Sequence, residues 1–502
     1  MNRLLQIKSN TLFWVVGLFV YIIYHLSTLN ISPLVWQDET FYNDITLDYL
    51  KNHTFFTNAD PLFIGGKQCY FYGPVFFMLN SVVIGIFGNT IFTGRILGLM
   101  FGFIMLALIY FKYLKGRFDL RFLSVVIFLA LCLDPFINMA FHRGRADTIQ
   151  MTFYLLSFFL VSTNKNDGKV NKGYFIISAL LYSLCLLTSL RMAIFVIPFA
   201  VYFLVEFIKA NKEHKKQIAI LATSWCAIVF IVFSFWVYSK LGGYHEYLAY
   251  IKSINSYFPQ LVFGNFNVPF EVKLITFVTI LTIVLLVVFS RSCFKNSSVV
   301  FYIAYFFCFH LLVGDVGPYS ILVLPILYCL FLELILQQNF DKGFIRFFKP
   351  MVGFVLIFNF LIFVLKVSVL SLTYNQKDYS KVNSFVSKNI PPNSRVVGDE
   401  LYYYAVLSNN CKYQYVHLQI FDYYKIEEYR RNNFDYDYLI LSDRLNSGYS
   451  VNFYDLYSKN SKLVKVAEYH SKRSMLLKYL SEFKIYPLAE TAYDGVIYKR
   501  IN

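Results

Sequence analysis

This chain of 502 residues is short of charge: Asp, Glu, Lys and Arg make up 15% of it and hydrophobic residues 57%, against roughly 25% charged in soluble domains. Together with a mean hydropathy of +0.51, that shortage excludes an ordinary soluble globule and implies an integral membrane protein. Metal and phosphate motifs are also missing. No Cys-x-x-Cys pair, His-Glu-x-x-His helix or glycine-rich phosphate loop occurs, which argues against a structural zinc or a nucleotide site. Of the eight cysteines, Cys132, Cys185, Cys226, Cys308 and Cys329 lie in apolar runs as small fillers and Cys293 in a short basic loop. Cys69 and Cys411 fall in polar segments, but nothing in the sequence orients them as a pair. Acidic residues are the scarcer sign, 30 against 46 basic, for a net charge of +16. The basic excess is spread over short segments between apolar runs, so it reads as a topology signal and not as a nucleic-acid surface.

Apolar runs are what the chain has in abundance. A bilayer core needs about 20 apolar residues per helix, and about eleven spans are expected at 11–29, 93–111, 121–138, 148–163, 173–189, 192–208, 217–239, 273–290, 298–313, 319–336 and 351–370. The first, behind Arg3 and Lys8, is long and lacks a small-residue cleavage site, so it is expected to remain as a helix and not to be removed as a signal peptide. With the N-terminus in the cytoplasm, the inner loops collect Lys112, Lys115, Arg117, Arg121, Lys209, Lys212, Lys215 and Lys216 among others, as the positive-inside rule requires. Residues 1–370 then form a transmembrane domain. An outer loop at 30–92 carries interfacial helices, among them "GPVFFMLNSVVIGIFG". After Ser371 the chain turns polar, and helix-like "DYSKVNSFVSKNI" and "KIEEYRRN" alternate with strand-like "SRVVGD", "YDYLILSD", "KLVKVAEYH" and "GVIYKRI". That pattern predicts a small extracytoplasmic α/β domain at 371–502.

Ionisable groups are costly at a membrane and face water or a cavity, so their clustering on one face carries information. The outer ends collect Asp38, Glu39 and Asp44, Lys67 with Tyr70 and Tyr72, Asp134, "FHRGRAD" with His142, Arg143, Arg145 and Asp147, Arg191, and Asp315 with Tyr319. Each has a bland reading, for example Asp44 as a helix cap or His142 as a loop residue. Arg191 interrupts "LLTSLRMAIFVIP" with no loop around it, which favours a cavity-lining role. Together, carboxylates and cations at a membrane face suit group transfer from a lipid-bound phosphate. A carboxylate accepts the proton of an incoming hydroxyl, and Arg or Lys stabilises the departing phosphate.

The order of these features resembles the GT-C superfamily of membrane glycosyltransferases, in the branch of protein O-mannosyltransferases and lipid A aminoarabinose transferases. The features are Asp38-Glu39 in the first outer loop, "YFYGPVFFMLNSVVIGIFG", the Arg of "GRILGLMFG", Arg145-Ala146-Asp147, Arg191 and "PYSILVLPILY", over roughly Asn10 to Leu336. The resemblance implies an inverting transfer of a hexosyl or pentosyl group from a polyprenyl-phosphate sugar to a hydroxyl of a glycolipid, polysaccharide or protein, in the cell membrane of a bacterium. It makes Asp38 the base, Glu39 a supporting carboxylate and Asp147 a second acid. Lys67, Arg145 and Arg191 would face the donor phosphate, with Tyr70, Tyr72, His142, Arg143 and Tyr319 lining the substrate site. The chain departs from the family at Gly73-Pro74, where two prolines are common, at Leu190-Arg191, where Lys-Gly is common, and at Pro318, which stands where an Arg often does. No cofactor is expected; Mg²⁺ or Mn²⁺ held by the carboxylates is the alternative. Rival classes are a flippase of lipid-linked sugars, for which internal repeats would be expected, and an oligosaccharide polymerase or ligase of another fold.

Overall fold

The computed structural model describes residues 16–59, 68–70, 72–115, 122–163, 171–257, 295–312, 319–336, 342–415, 435–442, 453–458, 461–470 and 493–501. Its helices are α1 (Val16–Thr28), α2 (Gln37–Asn52), α3 (Pro74–Phe87), α4 (Ile91–Tyr113), α5 (Phe122–Cys132), α6 (Pro135–Phe141), α7 (Asp147–Thr163) and α8 (Lys172–Leu186). They continue with α9 (Val196–Lys209), α10 (Lys212–Leu241), α11 (Tyr244–Tyr257), α12 (Ser297–Leu312), α13 (Ser320–Leu336), α14 (Lys342–Thr373), α15 (Tyr379–Asn389), α16 (Tyr403–Ser408) and α17 (Phe453–Ser458). This is a multi-pass membrane protein. Among the described residues four helices are long and apolar enough to cross a bilayer, a bent pair makes a fifth, and five shorter apolar helices pack beside them. The span expected at 273–290 and the helix expected at "KIEEYRRN" lie outside the described residues.

The bundle is held by aromatic and small-residue packing. Phe158 of α7 stacks face to face on Phe301 of α12, with ring centroids 3.6 Å apart. Between α7 and α8, the Ser157 and Ser178 hydroxyls each donate to the other's backbone carbonyl at 2.9 Å, the small-polar contact that lets membrane helices approach closely. The run expected as one span at 121–138 is broken: α5 and α6 meet at 51°. The cause is local. Pro135 biases Asp134 out of the helical region, and the Asp134 carboxylate caps α6 by accepting from the amides of Phe136 and Ile137. Asp134 also accepts from the Tyr328 hydroxyl at 3.1 Å, so this residue, grouped at first with the site, is a capping and bundle-bracing group.

Small strands build the C-terminal domain. They are β1 (Arg395–Gly398), β2 (Lys412–Tyr415), β3 (Tyr438–Ser442), β4 (Lys462–Tyr469) and β5 (Gly495–Ile501), in the order β2-β1-β3-β5-β4. β2, β1 and β3 run parallel, while β5 is antiparallel to both β3 and β4. β3 is buried along its whole length, as its unbroken apolar sequence demands of a central strand. The turn after β1 leads into α16, whose tyrosines reach back to α2. No disulfide joins Cys69 to Cys411; Cys411 donates to the Pro391 carbonyl at 3.3 Å.

Candidate active site

The site is built on α2. Phe41, Tyr42, Ile45 and Tyr49 recur at helical spacing, and Asp38 and Glu39 sit in the first turn, where the partial positive charge of the helix N-terminus favours carboxylates. Neighbouring residues on a helix point about 100° apart, so the two acids face different surroundings. Asp38 shares a side with Tyr42, and Glu39 with Asn43.

On the first side, Arg145 Nη1 donates to Asp38 Oδ2 at 2.6 Å and Arg145 Nε to Asp147 Oδ2 at 2.6 Å. One guanidinium therefore bridges two carboxylates. The Asp38 side chain is 27% exposed while Arg145 is 4% exposed, so the carboxylate is the accessible end. Among the described residues, Asp38 Oδ1 has no hydrogen-bond partner. Burial pulls the Arg145 pKa down, but Asp147 and then Asp38 outweigh it, and the net displacement is upward; the cation is permanent. The Tyr319 ring is shared by two guanidiniums, Arg145 and Arg191, each 5.0 Å from its centroid, and Arg191 donates to the Tyr319 hydroxyl. Tyr72 packs on Tyr42 with centroids 4.6 Å apart. Burial raises its phenol above the ordinary range against the pull of Arg191, which keeps it a hydrogen-bond donor. The turn that presents Arg145 needs Gly144, because a Cβ there would stand 2.6 Å from the Gly94 carbonyl and 3.0 Å from Glu39 Cγ. Gly73, one of the family departures, is likewise set by space: a Cβ would fall 1.8 Å from the Leu187 carbonyl oxygen.

The second side is closed. Glu39 is fully buried and paired with Arg95 of α4 through two parallel bonds, Nε to Oε1 at 2.9 Å and Nη2 to Oε2 at 2.8 Å. Arg95 Nη1 donates to the carbonyls of Leu29 and Pro33, and the Tyr404 hydroxyl donates to Glu39 Oε1 at 3.3 Å. Such a pair withstands burial because its donors and acceptors are met on both sides. Glu39 thus ties α1, α4 and the C-terminal domain together and does not reach the Asp38 cluster. Asp44 does similar work. It accepts from Thr57, the Ala59 amide and Tyr403, so it anchors the segment after α2.

The remaining expected residues divide. Asp38, Tyr72, Arg145, Asp147, Arg191 and Tyr319 converge. His142 does not: its Nδ1 meets the Ser32 carbonyl at 2.8 Å and its Nε2 lies 2.7 Å from His25 Nδ1, deep beside α1. Arg143 lies over the Trp36 ring, 4.6 Å from its centroid. Tyr70 bonds Gln68 Oε1 at 2.8 Å and packs against Phe55, Trp236 and Tyr250. Lys67 and Asp315 lie outside the described residues. Tyr42 and Tyr404 were absent from the expected site, and Arg95, the Arg of "GRILGLMFG", had no role assigned to it. Tyr42 was legible as the residue one turn after Asp38, while no sequence signal couples Tyr404 to Glu39 across 365 positions.

With this geometry in view, two solved structures are similar over nearly the whole chain. ArnT from Cupriavidus metallidurans bound to undecaprenyl phosphate shares 12% identity and a TM-score of 0.58, covering 97% of each chain. The same protein in the apo state gives 11%, 0.60 and 98% of each chain. The chain therefore has the GT-C fold of membrane glycosyltransferases. Within it, residues 72–237 match the model of the dolichyl-phosphate-mannose-protein mannosyltransferase family. No curated protein matches the chain by sequence.

Proposed function

We propose that this chain transfers a sugar, hexosyl or pentosyl, from a polyprenyl-phosphate donor to a hydroxyl acceptor at the extracytoplasmic membrane face, with the C-terminal domain on that face and the N-terminus in the cytoplasm. The observation that carries the reading is the bridged trio Asp38–Arg145–Asp147, in which the Asp38 carboxylate is the accessible end. Asp38 Oδ1 takes the proton of the acceptor hydroxyl. The hydroxyl oxygen bonds to the anomeric carbon on the face opposite the phosphate, and the carbon–oxygen bond to the phosphate breaks, its electron pair leaving with the polyprenyl phosphate. Configuration inverts. Asp147 holds Arg145 in place, and Arg191 with Tyr319 meets the charge growing on the leaving group. A similar fold has been captured with undecaprenyl phosphate bound, which supports a lipid phosphate donor here.

The reading needs no metal, because the Arg145 guanidinium already pairs with both carboxylates that Mg²⁺ or Mn²⁺ would use. The acceptor is a glycolipid, polysaccharide or protein. Mass spectrometry of surface glycans and lipid-linked sugars in cells lacking this chain tests the reading: one sugar should vanish from the glycans while its polyprenyl-phosphate form accumulates. Unchanged profiles in both pools would sink it.

A further inference from the structure

The Glu39 side of α2 borders a cavity of about 380 Å³ where α1, α4 and the end of α14 meet the C-terminal domain. Its walls include Asn30, Asn89, Tyr374, Asp378, Asn383 and Ser408. Tyr404, which also lines it, is the residue that donates to Glu39, so the buried Arg95–Glu39 pair stands between this cavity and the Asp38 cluster. The site is separate from the one already described. We propose that this cavity binds an uncharged sugar ring.

Three features of the wall point to that chemistry. The polar groups are amides and hydroxyls, which donate and accept in mixture, as sugar hydroxyls do. Asn89 spends its oxygen on Asn43 Nδ2 at 2.6 Å, which leaves its two N–H donors. Asn383 Oδ1 is buried without a hydrogen-bond partner, an acceptor whose desolvation goes uncompensated until a donor reaches it. Charge is the second feature. No Lys or Arg is among the described lining residues, so a phosphate or carboxylate would find no counter-ion. The one carboxylate, Asp378, caps α15 by accepting from the Ser380 amide through Oδ1 at 3.0 Å, and its second oxygen is an acceptor of the kind that sugar hydroxyls donate to. The third is Tyr374, 53% exposed at the rim, an amphipathic ring of the kind that covers an apolar sugar face. The volume falls within the range of small-ligand sites and suits one or two sugar rings. Because the helix ends Ser27, Thr90 and Tyr374 line the cavity, it lies at headgroup level, within reach of both a glycolipid headgroup and a free saccharide.

The test uses the full chain in phosphatidylcholine nanodiscs, with methyl glycosides of glucose, galactose, mannose and N-acetylglucosamine observed by saturation-transfer NMR. At least one glycoside should bind, and its signal should fall at least fivefold in Asn383→Leu and in the cavity-filling Ser380→Trp. Ser380 is exposed in the first turn of α15, so Ser380→Trp leaves the fold intact even if Asn383→Leu does not. Asp38→Asn should bind as the native chain does. A neutral glycosyl-diacylglycerol placed in the nanodisc should displace the soluble glycoside, identifying a headgroup; failure to displace would leave a free saccharide as the ligand of the same site. The proposal is overturned if no glycoside binds, if binding survives both cavity variants, if Asp38→Asn alone abolishes it, or if inorganic phosphate competes. Because the readout is binding and not transfer, the outcome is independent of the catalytic reading.

Discussion

Asp38 and Glu39 are neighbours in sequence, yet they live in two different regions of the molecule. Asp38 looks into the side of α2 where Arg145, Asp147, Arg191 and Tyr319 gather, and it keeps an exposed edge. Glu39 looks into dry protein, where Arg95 and Tyr404 occupy its oxygens. A rotation of about 100° along the helix separates a carboxylate with an exposed edge from one whose oxygens hold three segments together. An Asp-Glu pair is therefore two functions placed side by side, and the difference is set by helix geometry and not by residue type.

The contrast can be broken from the Glu39 side first, where the largest effect is expected. Arg95→Leu leaves a buried carboxylate without its partner, and such losses cost about 3–5 kcal/mol; the variant should show a sharply lower midpoint of thermal unfolding or fail to accumulate in membranes. Asp38→Asn should do the reverse, keeping native unfolding behaviour while lowering turnover by roughly 10²–10⁴-fold, the scale of a lost general base. If Arg95→Leu accumulated and unfolded normally, the structural role of the Glu39 side would fail.

Smaller effects sharpen the picture of the Asp38 side. Arg191→Leu removes one charge facing the proposed leaving group and should lower turnover by about 10²–10³-fold, more in kcat than in KM; a change confined to KM would place Arg191 in ground-state binding. EDTA should leave turnover unchanged, whereas activity restored by Mg²⁺ or Mn²⁺ alone would show that a metal acts among the carboxylates. The smallest effect belongs to Asp44. Burial raises its pKa, against the Ala59 amide and the Thr57 hydroxyl, so the folded chain holds this proton to higher pH than the unfolded chain does. Stability is then expected to fall as pH rises from the ordinary carboxylate pKa through the raised one and to level off above it. Asp44→Asn should flatten that part of the pH–stability curve, and an unchanged slope would remove Asp44 from the account.

Much of the architecture was legible because it follows from local pattern. Apolar runs marked the helices of the bundle, short apolar or β-branched runs marked β1, β3, β4 and β5, and Gly73-Pro74 opened α3 where a proline at the first helical position belongs. Short elements with weaker patterns were missed: β2 is four residues long and α16 six. At the site, Asp38, Arg145, Asp147 and Arg191 stood out as charges at the ends of apolar runs. What could not be read was direction. Glu39 looked like a partner of Asp38 because adjacency is visible in a sequence and the start of α2 at Gln37 is not. His142 looked available because its partner His25 is 117 positions away, buried in a helix that gave no hint of it. Tyr319 and Arg191 meet across 128 positions, and only their common end of the bundle suggested it.

The most direct measurement of the central claim is a paired complementation. Cells lacking this chain would carry either Asp38→Asn or Glu39→Gln, each brought to the same membrane abundance, with glycans and polyprenyl-phosphate sugars then profiled by mass spectrometry. Asp38→Asn should leave the glycan short of its sugar and the lipid-linked donor accumulated, while each correctly folded molecule of Glu39→Gln should restore transfer. Full restoration by Asp38→Asn, or folded but inactive Glu39→Gln, would contradict the claim.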